Sequence, residues 1–214
     1  MSQSPPRFDS AFRAQLRDLL SWRRDVRRFK PDPIPKDLLT ELLATACLAP
    51  SVGNSQPWRF VVVETPTLRA AVIRDYESCN AEALRAYTGE LAAKYATLKL
   101  AGLKEAPVHL AVFADHATLA GHGLGSRTMP ETLEYSVVSA IQVLWLAARA
   151  HQIGLGWVSI LNPEAVNTLL DVPESWRFIG YLCLGYPVEE HEDPELVRHG
   201  WQDRIRLDEV VFKR

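Results

Sequence analysis

Ala49-Pro50-Ser51-Val52-Gly53-Asn54-Ser55-Gln56-Pro57-Trp58 sets two prolines and a run of small hydrogen-bonding side chains directly before an apolar stretch, Trp58-Arg59-Phe60-Val61-Val62-Val63. Pro50 is expected to stop an apolar-periodic helix, Gly53 to supply backbone freedom, and Pro57 to hold Gln56 extended at the entry to a strand. Ser51, Asn54, Ser55 and Gln56 offer hydroxyls and amides able to line a polar, ring-bearing ligand. The same residue types also build an ordinary capped helix-to-strand turn, so this stretch alone leaves both readings open.

Upstream, Asp9 or Ser10 can cap a first helix carrying Phe12, Leu16, Leu19 and Leu20 on one face. It runs into Arg23-Arg24-Asp25-Val26-Arg27-Arg28-Phe29-Lys30, and a turn with Pro31, Pro33 and Pro35 leads to a second helix over 36–49. Downstream, Thr65-Pro66 opens a helix with Leu68, Val72 and Tyr76 in phase. From about 77 to 105 the chain leaves that core pattern, and its Ala-rich part carries a weaker stripe through Leu84, Tyr87, Leu91, Tyr95 and Leu98. That stripe suits either a lid or a plain surface helix.

Residues 107–114, 155–160 and 177–184 read as three more strands. Gly121-His122-Gly123-Leu124-Gly125 has GxGxG spacing, not GxGxxG, and is expected to be a flexible loop without a dinucleotide role. Thr128-Met129-Pro130-Glu131 reads as a capping box opening a helix to about His151 that is apolar on most sides, as suits the centre of a fold or a subunit interface. Gly156 is expected to let the backbone approach a flat ligand, and Asn162-Pro163 to cap a short helix to Leu170. Residues 188–214 are acidic and then basic, with too few apolar side chains to fold alone, and are expected to embrace a second subunit.

The 214 residues, 47% apolar and 23% charged, suit one domain over 9–214 behind a disordered lead-in over 1–8. A net charge of −2 gives no global field for nucleic acid or an anionic membrane, so a phosphate-bearing ligand must be held by a local cluster. Cys47, Cys79 and Cys183 are odd in number and scattered, against a disulfide framework or zinc ribbon. The six histidines show no metal-ligand spacing and no GxSxG occurs, so neither metal catalysis nor a serine hydrolase has support. No run reaches membrane-spanning length and no signal-peptide layout is seen, which points to the cytoplasm.

Arg23, Arg24 and Arg27, with Arg204 and Arg206, can form a phosphate-holding cluster if the fold brings the two ends together. Asp25 stands alone among those arginines, which should keep it ionised; it either balances charge or serves as a positioned base.

With these pieces together, the chain resembles the FMN-dependent nitroreductase superfamily along nearly its whole length. The likeness rests on the Arg-Arg-x-x-Arg run, the loop from Pro50 to Trp58, the Gly156-Trp157 pair and the basic C-terminal segment. Asp25, where general nitroreductases carry Ser, is similar to the branch that fragments reduced FMN to 5,6-dimethylbenzimidazole. Leu98-Lys99-Leu100, Gly185-Tyr186-Pro187 and His199-Gly200-Trp201 extend that similarity. The resemblance implies an α/β (α+β), three-layer, nitroreductase-like fold with a central mixed sheet of four to five strands, a lid, and a domain-swapped C-terminal extension. It also implies a homodimer with FMN at its interface, dioxygen as co-substrate, a separate flavin reductase, and no metal. Arg23, Arg24, Val26, Arg27 and Arg204 are implied to hold the flavin's phosphate and oxygens, with Ser51, Asn54 and Ser55 coming from the other subunit. Leu98 is implied to lie near the ring, the Gly156-Trp157 backbone to face it, Asp25 to act as base on the ribityl chain, and Ser159 to bond the flavin edge. The rival expectations are an NAD(P)H-dependent nitroreductase or quinone reductase and a flavin-binding protein without turnover.

Overall fold

Helix α1 (Ser10–Trp22) begins where the Asp9 carboxylate accepts the Phe12 amide at 2.8 Å, the N-cap expected from the sequence. The computed structural model describes residues 4–98 and 101–214; the start of the expected lead-in and Lys99-Leu100 lie outside these. No residue of α1 is buried, and Phe12, Leu16, Leu20 and Trp22 remain exposed beside Phe8, which stacks on Phe12.

Helix α2 (Lys36–Ala46) ends three residues short of the expected span. Pro50 cannot donate to the Ala46 carbonyl and its ring would strike it, so the chain turns earlier and Ala49 N bonds Ala46 O at 3.1 Å. There follow β1 (Trp58–Val62), α3 (Pro66–Arg85), α4 (Gly89–Thr97), α5 (Gly102–Glu105) and β2 (Val108–Asp115). Then come α6 (Thr132–Ala150), β3 (Gly154–Val158), α7 (Pro163–Leu169), β4 (Trp176–Gly185) and α8 (Glu195–Arg198).

The sheet has four strands in the order β1-β2-β4-β3, each antiparallel to its neighbours, where a mixed sheet was expected. The excursion through α3, α4 and α5 and the short α7 both reverse the chain, whereas parallel neighbours need a crossover back to the same end. Among the described residues a parallel pairing survives as an isolated bridge, Asp25 to Leu155.

Alternation along the strands makes three layers. Leu110, Val112, Ala114, Leu182 and Leu184 meet α2 and α6, while Ala111, Phe113, Tyr181 and Cys183 meet Val72 and Tyr76 of α3 and Val166 of α7. Helix α6 buries Val137, Ala140, Ile141, Leu144 and Ala148 yet leaves Tyr135 and Val138 exposed.

The expected capping box does not form. Thr128 and Met129 amides are taken by the Gly125 carbonyl, so the helix starts at Thr132 with no side-chain cap from Glu131. The region expected as a lid divides into the end of α3, a break at 86–88, α4 and α5. Helix α4 buries none of its residues, and Tyr87 and Tyr95 stack at 4.8 Å across the break.

Candidate functional site

The arginine run is pinned to the edge strand β3 and, at its far end, to the residue that follows β4. Val26 N donates to Leu155 O at 3.0 Å, the Trp157 amide donates to Asp25 Oδ1 at 2.8 Å, and Lys30 N reaches Tyr186 O at 2.8 Å. A Cβ at Gly156 would collide with the Val26 carbonyl. The glycine expected to admit a flat ligand therefore admits the chain's own backbone on that side.

Around this anchor the two ends of the chain meet, as a phosphate-holding cluster requires. Arg23, Arg24, Asp25, Arg27, Glu195 and Arg204 line one cleft. Arg24, Asp25, Arg27 and Glu195 also border an adjoining cleft with Val26, Trp145 and Leu155. The Arg23 guanidinium lies 4.7 Å over the Trp145 ring, and its Nε is buried with no hydrogen bond among the described residues. Burial lowers the Arg23 pKa, Asp25 opposes that shift and Arg204 adds to it. Arg24 is committed to the backbone, donating to Glu192 O at 2.6 Å, Arg23 O at 2.7 Å and Ser21 O. Arg206 turns aside to pair with Asp208 at 2.6 Å.

Asp25 Oδ2 stands 3.4 Å from Arg27 Nε, and its side chain is 36% exposed, onto the clefts. Burial pushes its pKa up, against the lowering effects of the Trp157 amide and Arg27, while Glu195 adds to the rise. The neighbouring arginines thus do not set the direction of the shift, which burial sets. Arg23 faces Trp145 and Arg24 faces carbonyls, leaving Arg27 as the direct ion pair.

The remaining expected residues lie elsewhere in the subunit. Ser51, Asn54 and Ser55 line neither cleft; Leu98 lines a third one, under α3 and α4, with Asn80 and Tyr95. Ser159 is exposed, just beyond β3. The Trp157 indole packs against Gly180 and lies 6.4 Å from Trp145.

The loop from Ser51 to Gln56 is a built structure. Gly53, Asn54 and Gln56 all have positive φ, so Pro57 does not hold Gln56 extended. The Ser51 hydroxyl captures the Gln56 amide at 3.1 Å and outweighs that preference. Ser55 Oγ is buried without a hydrogen bond among the described residues. The GxGxG segment packs directly on this loop: a Cβ on Gly121 would sit 2.6 Å from Gly53 O, and one on Gly53 2.7 Å from Leu124 O. Its glycines serve close approach, where loop flexibility was expected.

Sequence reasoning missed Trp145, Glu192 and Glu195. Trp145 was absorbed into the apolar count of α6, although its Nε1 donates to Arg24 O at 3.1 Å; a polar-tipped ring in such a helix was the available signal. The two glutamates sat in an acidic run with nothing local to pair them with arginines some 170 positions away.

The chain as a whole has counterparts among known proteins. The chain is 57% identical over 93% of its length to a 5,6-dimethylbenzimidazole synthase of Rhodospirillum rubrum, 94% of which is covered. It is 48% identical over 92% to one of Rhodobacter capsulatus, 96% of which is covered. A crystal structure of oxidized iodotyrosine deiodinase, bound to FMN and 3-iodo-L-tyrosine, superposes with a TM-score of 0.70 at 29% identity, over 82% of this chain and 91% of that one. The nitroreductase family model matches residues 20–186, and with such relatives along nearly its whole length, this chain belongs to the nitroreductase family.

Proposed function

We propose that this chain is a 5,6-dimethylbenzimidazole synthase, which makes the lower ligand of vitamin B12 from reduced FMN and dioxygen. One observation carries the reading: Asp25, held by the Trp157 amide, opens onto clefts bordered by Arg23, Arg24, Arg27 and Arg204, in a chain 57% identical to a synthase of that name.

The residues fit a flavin phosphate. Arg23 Nε is buried without a hydrogen bond among the described residues, and a phosphate oxygen suits such a charged donor better than water alone. Arg27 and Arg204 complete the set of guanidinium groups around one cleft. Bound in reduced form, the flavin supplies the electrons that dioxygen takes up and the carbon skeleton of the product. Once dioxygen has oxidised the flavin side of the ribityl chain to an electron-accepting centre, Asp25 would take a proton from a ribityl hydroxyl and so open a retro-aldol cleavage towards that centre, and the raised pKa would make it a stronger base than an ordinary carboxylate. The Trp157 amide fixes one oxygen of Asp25 and leaves the other for the proton. By resemblance to the family, Ser159, exposed just beyond β3, would bond the flavin near its reactive edge, and Leu98, in the separate cleft under α3 and α4, would help exclude water.

A homodimer completes the site. The exposed apolar face of α1, with Tyr135 and Val138 of α6 and Ile205, Leu207, Val210, Val211 and Phe212 of the C-terminal extension, needs cover that one subunit does not give. Ser51, Asn54 and the Ser55 hydroxyl, which has no hydrogen bond among the described residues, would then reach the flavin from the second subunit. A separate reductase supplies the reduced flavin, and the free cysteines suit the cytoplasm.

The test is anaerobic loading with reduced FMN, admission of air and chromatography of the small molecules. Dimethylbenzimidazole is expected. Flavin returned intact, with NAD(P)H oxidised against a nitroaromatic or quinone, would establish an ordinary reductase instead. Flavin returned intact without any turnover would establish a binding protein.

A further inference from the structure

Arg27 Nε stands between two carboxylates, 3.4 Å from Asp25 Oδ2 and 3.5 Å from Glu195 Oε2. Glu195 opens α8, Pro194 before it is its N-cap residue, and its other oxygen lies 3.7 Å from His199 Nε2 one turn on. It borders both clefts that Asp25 borders.

Both separations exceed the roughly 2.7–2.9 Å of a well-formed charge-assisted hydrogen bond. One guanidinium nitrogen is therefore shared, and neither carboxylate is fully neutralised. Without the second carboxylate, Arg27 is free to close onto Asp25 as an ordinary ion pair, which would stabilise the charged form and weaken the base.

We propose that Glu195 is a positioning residue that holds Arg27 off Asp25 and so keeps the Asp25 carboxylate basic, acting through Arg27 and not on the substrate. The inference rests on Asp25 being the base of the proposed reaction. The groups facing Asp25 are Arg23 and Arg27 on its own segment, Cys183 on β4, the Trp157 amide on β3 and Glu195 on α8. Cys183, pushed up to about 12 by burial, stays a neutral thiol, so Glu195 is the negative charge in that set. Glu195 in turn faces Arg27 through Oε2 and His199 through Oε1.

Two measurements test this with Glu195→Gln and Glu195→Asp. Carbon-13 carboxyl NMR of the flavin-free protein reads the Asp25 midpoint directly, and the pH–rate profile of dimethylbenzimidazole formation reads its consequence. In Glu195→Gln the Asp25 midpoint is expected to fall, the acid limb of the profile to move with it, and the plateau rate to drop about tenfold. Glu195→Asp keeps the charge and should recover most of the midpoint. An Asp25 midpoint unchanged or raised in Glu195→Gln overturns the proposal. So does an equal loss of rate in both variants with no movement of the midpoint, since that is the mark of a merely structural role. If the wild type makes no dimethylbenzimidazole while the midpoint still falls in Glu195→Gln, the functional reading fails and the positioning of Asp25 by Glu195 stands.

Discussion

The backbone amide of Trp157 donates a 2.8 Å hydrogen bond to Asp25 Oδ1, tying the acidic member of the N-terminal arginine run to the edge strand β3. The run cannot slide along the strand without breaking this bond and the Val26-to-Leu155 bond beside it. One oxygen of Asp25 is thereby fixed and the other aimed at Arg27 and the clefts.

Asp25→Asn keeps this geometry, because the amide oxygen still accepts from Trp157, and removes the base. Dimethylbenzimidazole formation in a single turnover is expected to fall at least about 100-fold, the usual scale of general-base catalysis. Flavin affinity, read by fluorescence quenching, should stay within about threefold. A rate near that of the wild type would remove Asp25 from the chemistry.

The same substitution should stabilise the protein. A carboxylate whose folded pKa is raised binds its proton more tightly in the native state, so stability declines as pH rises from the ordinary value of 3.8 through the folded value. At neutral pH the ionised Asp25 is a standing cost. Asp25→Asn is expected to melt above the wild type at pH 7, with the gap closing below about pH 3.8. A gap that persists in acid, or runs the other way, contradicts the assigned shift.

His109 produces a pH dependence of opposite sign. It is 2% exposed, its Nδ1 lies 3.0 Å from Tyr181 Oη, and burial with nearby Arg69 lowers its pKa to about 4. The Ala106 carbonyl accepts from the ring, and burial keeps the Tyr181 phenol protonated, so the phenol donates to Nδ1. Between about 4 and 6.5 the unfolded state binds the extra proton, so stability is full above 6.5 and lost as pH falls, by about 3 kcal/mol in all. Urea unfolding at a series of pH values should show that slope, and His109→Gln should flatten it.

Much of the fold was legible because it is local. Asp9 and Asn162 cap helices through side chains three residues from their targets, and a strand such as β2 announces itself as a short apolar run with β-branched and aromatic residues, buried on both faces from Leu110 to Ala114. What stayed hidden depends on partners distant in sequence. Gly156 faces the Val26 carbonyl, Gly121 faces Gly53, Arg27 meets Glu195, and none of these pairs leaves a mark in either segment alone. The direction of the Asp25 shift was hidden for the same reason, since it turns first on burial by segments distant in sequence, with Arg27 and the Trp157 amide opposing it.

Gly121 and Gly89 make a matched pair for testing the packed loops. Both have positive φ, +75° and +60°, so Ala at either meets the same backbone penalty of about 1–2 kcal/mol. At Gly89 the new methyl meets nothing within 4 Å, whereas at Gly121 it meets Gly53 O at 2.6 Å. Gly121→Ala is therefore expected to lose about 2 kcal/mol more than Gly89→Ala in urea unfolding, the cost of overpacking against backbone. Equal losses would mean that the two loops part easily.

Trp201 joins the C-terminal extension to the region expected as a lid. Its ring lies 5.5 Å from Tyr87, edge-on, and 6.2 Å from Tyr95, while Lys94 Nζ donates to Gly200 O at 2.8 Å. Helix α4 buries none of its residues; these contacts, the stacked tyrosines and the hydrogen bond from Tyr95 Oη to Asn80 Oδ1 of α3 at 2.9 Å hold it. An aromatic pair adds about 0.5–1.5 kcal/mol beyond area, and two are lost in Trp201→Ala. Since the sheet and α6 are untouched, the melting temperature should move little, whereas amide exchange in α4 should quicken about tenfold. Arg204, three residues further on, borders the cleft with Arg23, so the same variant should also loosen flavin binding. Faster exchange with unchanged flavin affinity would show that the lid contacts and the arginine arm act separately. Unchanged exchange would show that α3 alone carries α4.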